Sequence, residues 1–160
     1  EIRCAFLDHE HIIKVLDIVE KKQAVFDQVQ QTISYMLMEY APFGDFTNVV
    51  LTEKFPRDEV LARSYFHQMI DGLEYLHSQG VAHMDLKLEN MLLGEDFRLK
   101  ICDFDCAYFP KDKALNGRGT RNFRAPETRS ELVYKPTASD VYSAGIILFA
   151  LRYKILPYVE

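Results

Sequence analysis

The sequence predicts an α+β fold in which strands precede a mostly helical part. Two apolar stretches, Ile12 to Val19 and Ile33 to Tyr40, have the composition of β-strands and are separated by the polar residues 20–32. Residues 58–78 carry an apolar side chain every three or four positions, which is typical of an amphipathic helix. A further helix is predicted at Val141 to Leu151. Because it is apolar on nearly every face, we expect it in the centre of the core.

Shorter elements connect these segments. Residues 1–8 indicate the last turns of a helix, and residues 41–45, which include Pro and Gly, predict a hinge between two lobes. Short strands are predicted at Met91 to Leu93 and Leu99 to Cys102, around a turn at residues 94–96. Thr137 and Asp140 form a candidate capping box for the last helix.

Composition excludes several classes of protein. The 160 residues carry a net charge of −5 with both signs mixed along the chain, so we expect no nucleic-acid or membrane partner. The longest apolar run, residues 144–151, is too short to span a bilayer. Cys4, Cys102 and Cys106 are an odd set without a CxxC pair, which favours thiols in a reducing, cytoplasmic compartment over disulfides or zinc ligands. Nothing in the sequence indicates an oligomeric state.

Polar side chains suited to phosphoryl transfer are concentrated in two segments. These segments read His83-Met84-Asp85-Leu86-Lys87-Leu88-Glu89-Asn90 and Asp103-Phe104-Asp105. Phosphoryl transfer requires a carboxylate for the proton of the nucleophile, a cation near the phosphoryl group and oxygen ligands for magnesium. Asp85 is the candidate base and Lys87 the candidate cation. Asn90 and Asp103 are the candidate metal ligands.

These segments resemble the catalytic loop His-Arg-Asp-Leu-Lys-x-x-Asn and the metal motif Asp-Phe-Gly of protein kinases. Residues 119–127 are similar to the end of a kinase activation segment, which closes on Ala-Pro-Glu, and residues 140–145 to the start of the central helix of the C-lobe. Four motifs in the family order are a specific signal. The chain therefore resembles a eukaryotic-type Ser/Thr protein kinase catalytic domain, with a looser similarity to calcium/calmodulin-dependent and AMP-activated kinases.

The resemblance implies a two-lobed protein-kinase-like fold truncated at both ends. Residues 1–40 would form the end of the N-lobe and residues 41–160 part of a mostly helical C-lobe. The implied activity is transfer of the γ-phosphoryl group of ATP, with Mg²⁺, to Ser or Thr hydroxyls of protein substrates. The glycine-rich loop and the strand lysine would precede residue 1, so we expect the isolated fragment to be inactive.

The resemblance also implies a nucleotide site and a further catalytic residue. Met38 takes the gatekeeper position, the backbone of Glu39 and Ala41 forms the edge that receives adenine, and Leu92 lies beneath the adenine ring. Thr120 is expected to contact Asp85 and Lys87, although a role as a phosphorylation target is an alternative.

Two departures from the family pattern leave other functions open. Met84 replaces the arginine of His-Arg-Asp, and Asp105 replaces the glycine of Asp-Phe-Gly. A pseudokinase, which keeps the fold as a binding or scaffold module, is one alternative. A small-molecule phosphotransferase of the aminoglycoside and choline kinase type also explains Asp105, but Lys87 and the Ala-Pro-Glu motif favour protein substrates.

The segment from Asp103 to Gly119 contains no Ser or Thr, and its only side-chain hydroxyl belongs to Tyr108. Together with Met84, this predicts a kinase that is not controlled by phosphorylation of the segment. Packing of Tyr108, Phe109 and Leu115 is expected to order it instead. Isolated aspartates such as Asp45, Asp96 and Asp112 are expected to be solvated surface residues.

Overall fold

The computed structural model of the protein describes residues 2–51, 58–112, 117–130 and 134–158. Its elements, in chain order, are β1 (Val15–Phe26), β2 (Val29–Met38), α1 (Phe46–Val50), α2 (Glu59–Ser78), β3 (Met91–Leu93), β4 (Leu99–Ile101), α3 (Glu127–Ser130) and α4 (Pro136–Tyr153). Short 3-10 helices lie at Ile2–Cys4 and Leu88–Asn90. Strands β1 and β2 form one antiparallel pair, and β3 and β4 form another. The predicted α+β class is confirmed.

The first two strands form one long hairpin. They extend into the polar segment that we predicted to separate them, and they are joined by a two-residue turn at Asp27 and Gln28. Both turn residues have positive φ, 47° and 67°, which suits the twist of a tight hairpin. The predicted polar connection was wrong because backbone pairing in a hairpin continues without an apolar face. The predicted helical turns at residues 1–8 are a 3-10 helix at Ile2–Cys4.

Helix α2 follows the predicted periodicity closely. The Asp58 carboxylate accepts hydrogen bonds from the N–H groups of Val60 and Leu61, which caps the helix. Its apolar side chains, including Met69 and Leu76, are buried in the core. We did not predict the short helix α1, whose first turn is capped by the carboxylate of Asp45. The expectation that Asp45 is a simple surface residue was therefore wrong.

Helix α4 lies against α2 and contributes buried residues from most of its turns. It begins at Pro136, and Lys135 occupies the N-cap without a side-chain hydrogen bond. The predicted capping box of Thr137 and Asp140 was wrong, because Asp140 is buried inside the helix and accepts hydrogen bonds from outside it. Among the described residues, no helix combines the length and apolar character that crossing a membrane requires.

Candidate active site

Helix α4 holds the loop between α2 and β3 through hydrogen bonds to the backbone of the loop. The Asp140 carboxylate, only 1% exposed, accepts hydrogen bonds from the backbone N–H groups of His83 and Met84, each at 2.8 Å. One of its oxygens also lies 2.8 Å from Nε2 of His77, at the end of α2. These contacts connect two helices to the backbone just before Asp85. Sequence reasoning missed this role of Asp140 because its partners are more than 50 residues away in the chain.

His83 braces the same loop. It is fully buried, and its Nδ1 accepts the N–H of Asp85 at 3.2 Å. Its Nε2 therefore carries the proton and donates it to the carbonyl oxygen of Cys102 at 2.9 Å. The imidazole thus connects the loop that holds Asp85 to the segment that leads into Asp103. This arrangement agrees with a structural role for His83.

The three candidate catalytic residues meet in one hydrogen-bonded cluster. The Lys87 ammonium donates to Oδ2 of Asp85 at 2.8 Å and to Oγ1 of Thr120 at 3.0 Å. The Thr120 N–H donates to Oδ1 of Asp85 at 2.6 Å. The structure therefore brings together a carboxylate, a cation and a hydroxyl from two segments that are more than 30 residues apart in sequence.

The cluster fixes the charge state of its members. Burial of Asp85 raises the pKa of its carboxyl, but hydrogen bonds from Lys87 and Thr120 outweigh this effect and leave the pKa below its usual range. Burial lowers the pKa of the Lys87 ammonium, whereas Asp85, Glu89 and Asp103 raise it, and the net pKa is above its usual value. Near neutral pH, Asp85 is a carboxylate and Lys87 an ammonium.

The two candidate metal ligands lie beside this cluster. The Asn90 side-chain amide donates to the carbonyl oxygen of Asp85 at 3.0 Å, which leaves its amide oxygen as the atom able to bind a cation. The Asn90 carbonyl oxygen accepts the N–H of Cys102 at 2.9 Å, so the residue before Asp103 is bonded to Asn90. Asp103 itself has a φ of 64° and is partly buried. Oxygen donors of this kind suit Mg²⁺.

The candidate adenine-binding residues lie where β2 ends and the chain crosses to β3. Met38 pairs with Val15 at the end of the hairpin. The Glu39 N–H donates to the carbonyl oxygen of Lys14 at 2.9 Å, while its carboxylate accepts the Lys14 N–H and lies 3.1 Å from the Lys100 ammonium. The crossing segment, which includes Ala41, then pairs with β3 through an isolated bridge between Asp45 and Leu92.

The two departures from the family pattern have different surroundings. Met84 is buried with a φ of 67° and packs in a cluster with Ala82, Tyr134 and the partly buried Tyr108. Asp105 is exposed, and its N–H lies 3.4 Å from Oδ1 of Asp103. Met84 therefore fills a small apolar cluster, whereas Asp105 lies at the surface.

Packing of the segment after Asp103 is partly as expected. Tyr108 exchanges two backbone hydrogen bonds with Ala82, and Phe109 packs against the core. Leu115 lies outside the described residues. Asp112 was wrongly expected to be solvated, because its side chain is only 13% exposed and is paired with both Arg3 and Arg118.

Comparison with known proteins identifies the family. Residues 2–160 match the family model described as the protein kinase domain. The chain belongs to the protein kinase family. The family generally uses ATP and Mg²⁺ and acts on protein substrates.

Similar curated proteins are named as kinases. The chain is 36% identical over 94% of its length to CBL-interacting protein kinase 26 of Oryza sativa subsp. japonica. It is 36% identical over 96% of its length to serine/threonine-protein kinase GIN4 of Saccharomyces cerevisiae, and 40% identical over 81% to CBL-interacting serine/threonine-protein kinase 8 of Arabidopsis thaliana. The matched regions cover 29%, 13% and 30% of these relatives. The kinase resemblance found in the sequence is confirmed.

Proposed function

We propose that the complete protein containing this chain transfers the γ-phosphoryl group of ATP to Ser or Thr hydroxyls of protein substrates. The observation that carries the proposal is the cluster of Asp85, Lys87 and Thr120, in which a carboxylate and an ammonium are 2.8 Å apart beside a threonine hydroxyl. Related proteins named serine/threonine kinases support the same reaction.

Each member of the cluster has a distinct role in this proposal. Asp85 orients the substrate hydroxyl and accepts its proton, and its lowered pKa keeps it ionised for this task. Lys87 places a positive charge where negative charge develops on the transferred group. Thr120 holds both residues through its N–H and its hydroxyl. Positioning and electrostatics therefore carry the catalysis.

The remaining site residues bind the nucleotide and the metal in this proposal. The amide oxygen of Asn90 and the carboxylate of Asp103 would hold Mg²⁺, which neutralises charge on the phosphates when bound. Met38, the backbone of Glu39 and Ala41, and Leu92 would surround adenine. Because the Glu39 N–H already donates to the carbonyl oxygen of Lys14, the Glu39 carbonyl oxygen is the backbone group of this residue that is suited to adenine.

The division into lobes follows from the same site. We assign residues 1–40 to the end of the N-lobe and residues 41–160 to part of the C-lobe, with the nucleotide between them. The three thiols favour a reducing intracellular compartment for the protein.

A binding or scaffold module of the pseudokinase type is the alternative favoured by Asp105. Such a protein keeps the fold but does not transfer phosphate. The hydrogen-bonded set of Asp85, Lys87 and Asn90 argues against this alternative, because a protein that no longer transfers phosphate does not need these contacts. A small-molecule phosphotransferase is less well supported, since the similar curated proteins are named protein kinases.

The test is the substitution Asp103→Ala in the complete protein, with Asp71→Ala on the exposed surface of α2 as the matched control. We expect Asp103→Ala to lower the rate of peptide phosphorylation by about 100-fold or more. The fold should lose only the stability that an alanine at a φ of 64° costs, about 1–2 kcal/mol. The control should retain the wild-type rate. An unchanged rate in Asp103→Ala would contradict the metal assignment. ATP binding without measurable transfer by the wild-type protein would support the pseudokinase alternative.

A further inference from the structure

Asp112 joins three parts of the chain that are distant in sequence. Its two carboxylate oxygens accept hydrogen bonds from the Arg3 guanidinium at 2.8 and 3.2 Å. Oδ2 also lies 3.3 Å from the guanidinium of Arg118 and 3.2 Å from the N–H of Phe109. The N-terminal 3-10 helix and both limbs of the activation segment, defined here as residues 103–127, therefore meet at one carboxylate.

Arg118 carries this connection toward the active site. Its guanidinium donates to the carbonyl oxygens of Ala107 and Cys106 at 2.6 and 3.2 Å, in addition to its contact with Asp112. The next two residues are Gly119 and Thr120, and the Thr120 N–H donates to Asp85. Only one residue thus separates the side chain held by Asp112 from the backbone group that contacts the proposed base.

The network of Asp112 with Arg3 and Arg118 has the geometry in which an ion pair contributes to stability. Exposed single pairs contribute little, whereas bidentate arginine–carboxylate pairs within a network have defined geometry. The Arg3 contact is bidentate, and the Arg3 guanidinium also stacks on the Phe109 ring at 4.0 Å from its centroid. Hydrogen bonds from Arg3 lower the pKa of Asp112 to about 2 despite an opposing effect of burial, so the carboxyl is ionised at physiological pH.

The sequence of the segment indicates a role for the negative charge of Asp112. Residues 103–119 contain no Ser or Thr, and Met84 stands where the family has an arginine. A phosphate on such a segment acts by adding negative charge that arginine side chains bind. In this chain the ionised carboxylate of Asp112 already binds two arginines, Arg3 and Arg118, as a phosphate on the segment would.

We propose that Asp112 is a positioning residue that, by bridging Arg3 and Arg118, keeps residues 117–120 in the arrangement in which Thr120 contacts Asp85, in place of a regulatory phosphate. The proposal rests on the proposed kinase function, since the arrangement it preserves is the contact of Thr120 with Asp85. It assigns to an intrinsic side chain the ordering effect that phosphorylation supplies elsewhere.

The test compares Asp112→Asn, Asp112→Glu and the control Asp71→Asn in the complete protein. Asn keeps the shape of the side chain but removes the charge, so we expect kcat to fall about tenfold or more while KM for ATP changes little. Asp112→Glu should recover much of the rate, because it restores a carboxylate within reach of both arginines. Asp71→Asn should behave as wild type. Equal rates in Asp112→Asn and Asp71→Asn would overturn the proposal.

Hydrogen exchange supplies a readout that needs no catalysis. We expect backbone amides of residues 117–120 to exchange about tenfold faster in Asp112→Asn than in Asp71→Asn. If the wild-type protein transfers no phosphate but this difference appears, the proposed function fails and the positioning role stands. If the wild-type protein transfers phosphate and Asp112→Asn leaves hydrogen exchange at residues 117–120 unaffected, the positioning role fails and the proposed function stands.

A double-mutant cycle identifies the interaction itself. If Arg3 acts through Asp112, adding Arg3→Ala to Asp112→Asn should change kcat by less than Arg3→Ala does in the wild-type background. Equal effects of Arg3→Ala in both backgrounds would show that the two residues act independently, which would overturn the bridging role.

Discussion

Gly119 controls the position of Thr120 through the absence of a side chain. Its φ is +87°, and a Cβ atom built on it would collide with the carbonyl oxygen of Met84. Met84 is itself buried with a φ of 67°, so this oxygen has little room to move. The approach of these two backbones places the Thr120 N–H against Asp85. The glycine is therefore required by contact as well as by conformation.

Gly117 offers a matched comparison for this residue. It also has a positive φ, +84°, but a Cβ atom there would meet nothing within 4 Å. We expect Gly117→Ala to lower the free energy of unfolding by about 1–2 kcal/mol, the strain of a left-handed alanine. Gly119→Ala should lower the free energy of unfolding by more than Gly117→Ala does. It should also lower kcat, because the backbone of Met84 or Thr120 must shift. Chemical denaturation and peptide phosphorylation measure the two effects. Identical results for both variants would contradict the contact argument.

Asp105 occupies the position of the glycine in the family motif without needing glycine. Positive φ in this motif falls on Asp103, at 64°, and Asp105 lies outside the positive-φ region. Its side chain is exposed. We therefore expect Asp105→Gly in the complete protein to show equal or higher activity with the same dependence on Mg²⁺ concentration. Complete loss of phosphorylation would show instead that Asp105 is a required metal ligand.

At the scale of elements, the catalytic loop depends on helix α4 through one carboxylate. Asp140 accepts the N–H groups of His83 and Met84 on different oxygens, and His77 approaches one of them. An asparagine offers a single oxygen, so Asp140→Asn leaves a buried N–H group opposite an NH₂ group. An unsatisfied buried donor costs about 1–3 kcal/mol.

We expect Asp140→Asn to lower the free energy of unfolding by about 1–3 kcal/mol. Denaturant titration of the complete protein gives this value. The exposed substitution Asp71→Asn on α2 is the control and should remain within about 0.5 kcal/mol of wild type. If the two variants are equally stable, Asp140 does not anchor the loop.

Sequence periodicity predicted the elements whose stability is local. Helix α2 was predicted almost residue for residue, because its cap at Asp58 and its apolar spacing lie within the segment itself. The hairpin boundaries were not, since exposed strands carry no apolar alternation to mark them. Asp140 and Asp112 were misassigned because their partners are 50 to more than 100 residues away. A single sequence records the residue but not the contact.

At the scale of the whole molecule, the site is assembled from segments that different elements hold in place. Helix α4 fixes the loop of Asp85, and the imidazole of His83 connects that loop to the approach to Asp103. The Asp112 network fixes the segment that ends at Thr120. All of these contacts come from side chains of the chain itself.

Because these contacts are made by the chain's own side chains, we predict that the kinase activity of the complete protein does not depend on phosphorylation of residues 103–127. The Thr120 hydroxyl already accepts a hydrogen bond from Lys87, so a phosphate on it would disrupt the cluster. Tyr108 has the only side-chain hydroxyl between Asp103 and Gly119. We expect the protein made in bacteria to keep its initial rate on a Ser/Thr peptide after phosphatase treatment, and Tyr108→Phe to behave in the same way. A phosphatase-induced fall of about tenfold, equal to about 1.4 kcal/mol in barrier, with a phosphate mapped between Asp103 and Glu127, would contradict the prediction. In that case a phosphate, rather than Asp112 alone, would complete the ordering of the segment.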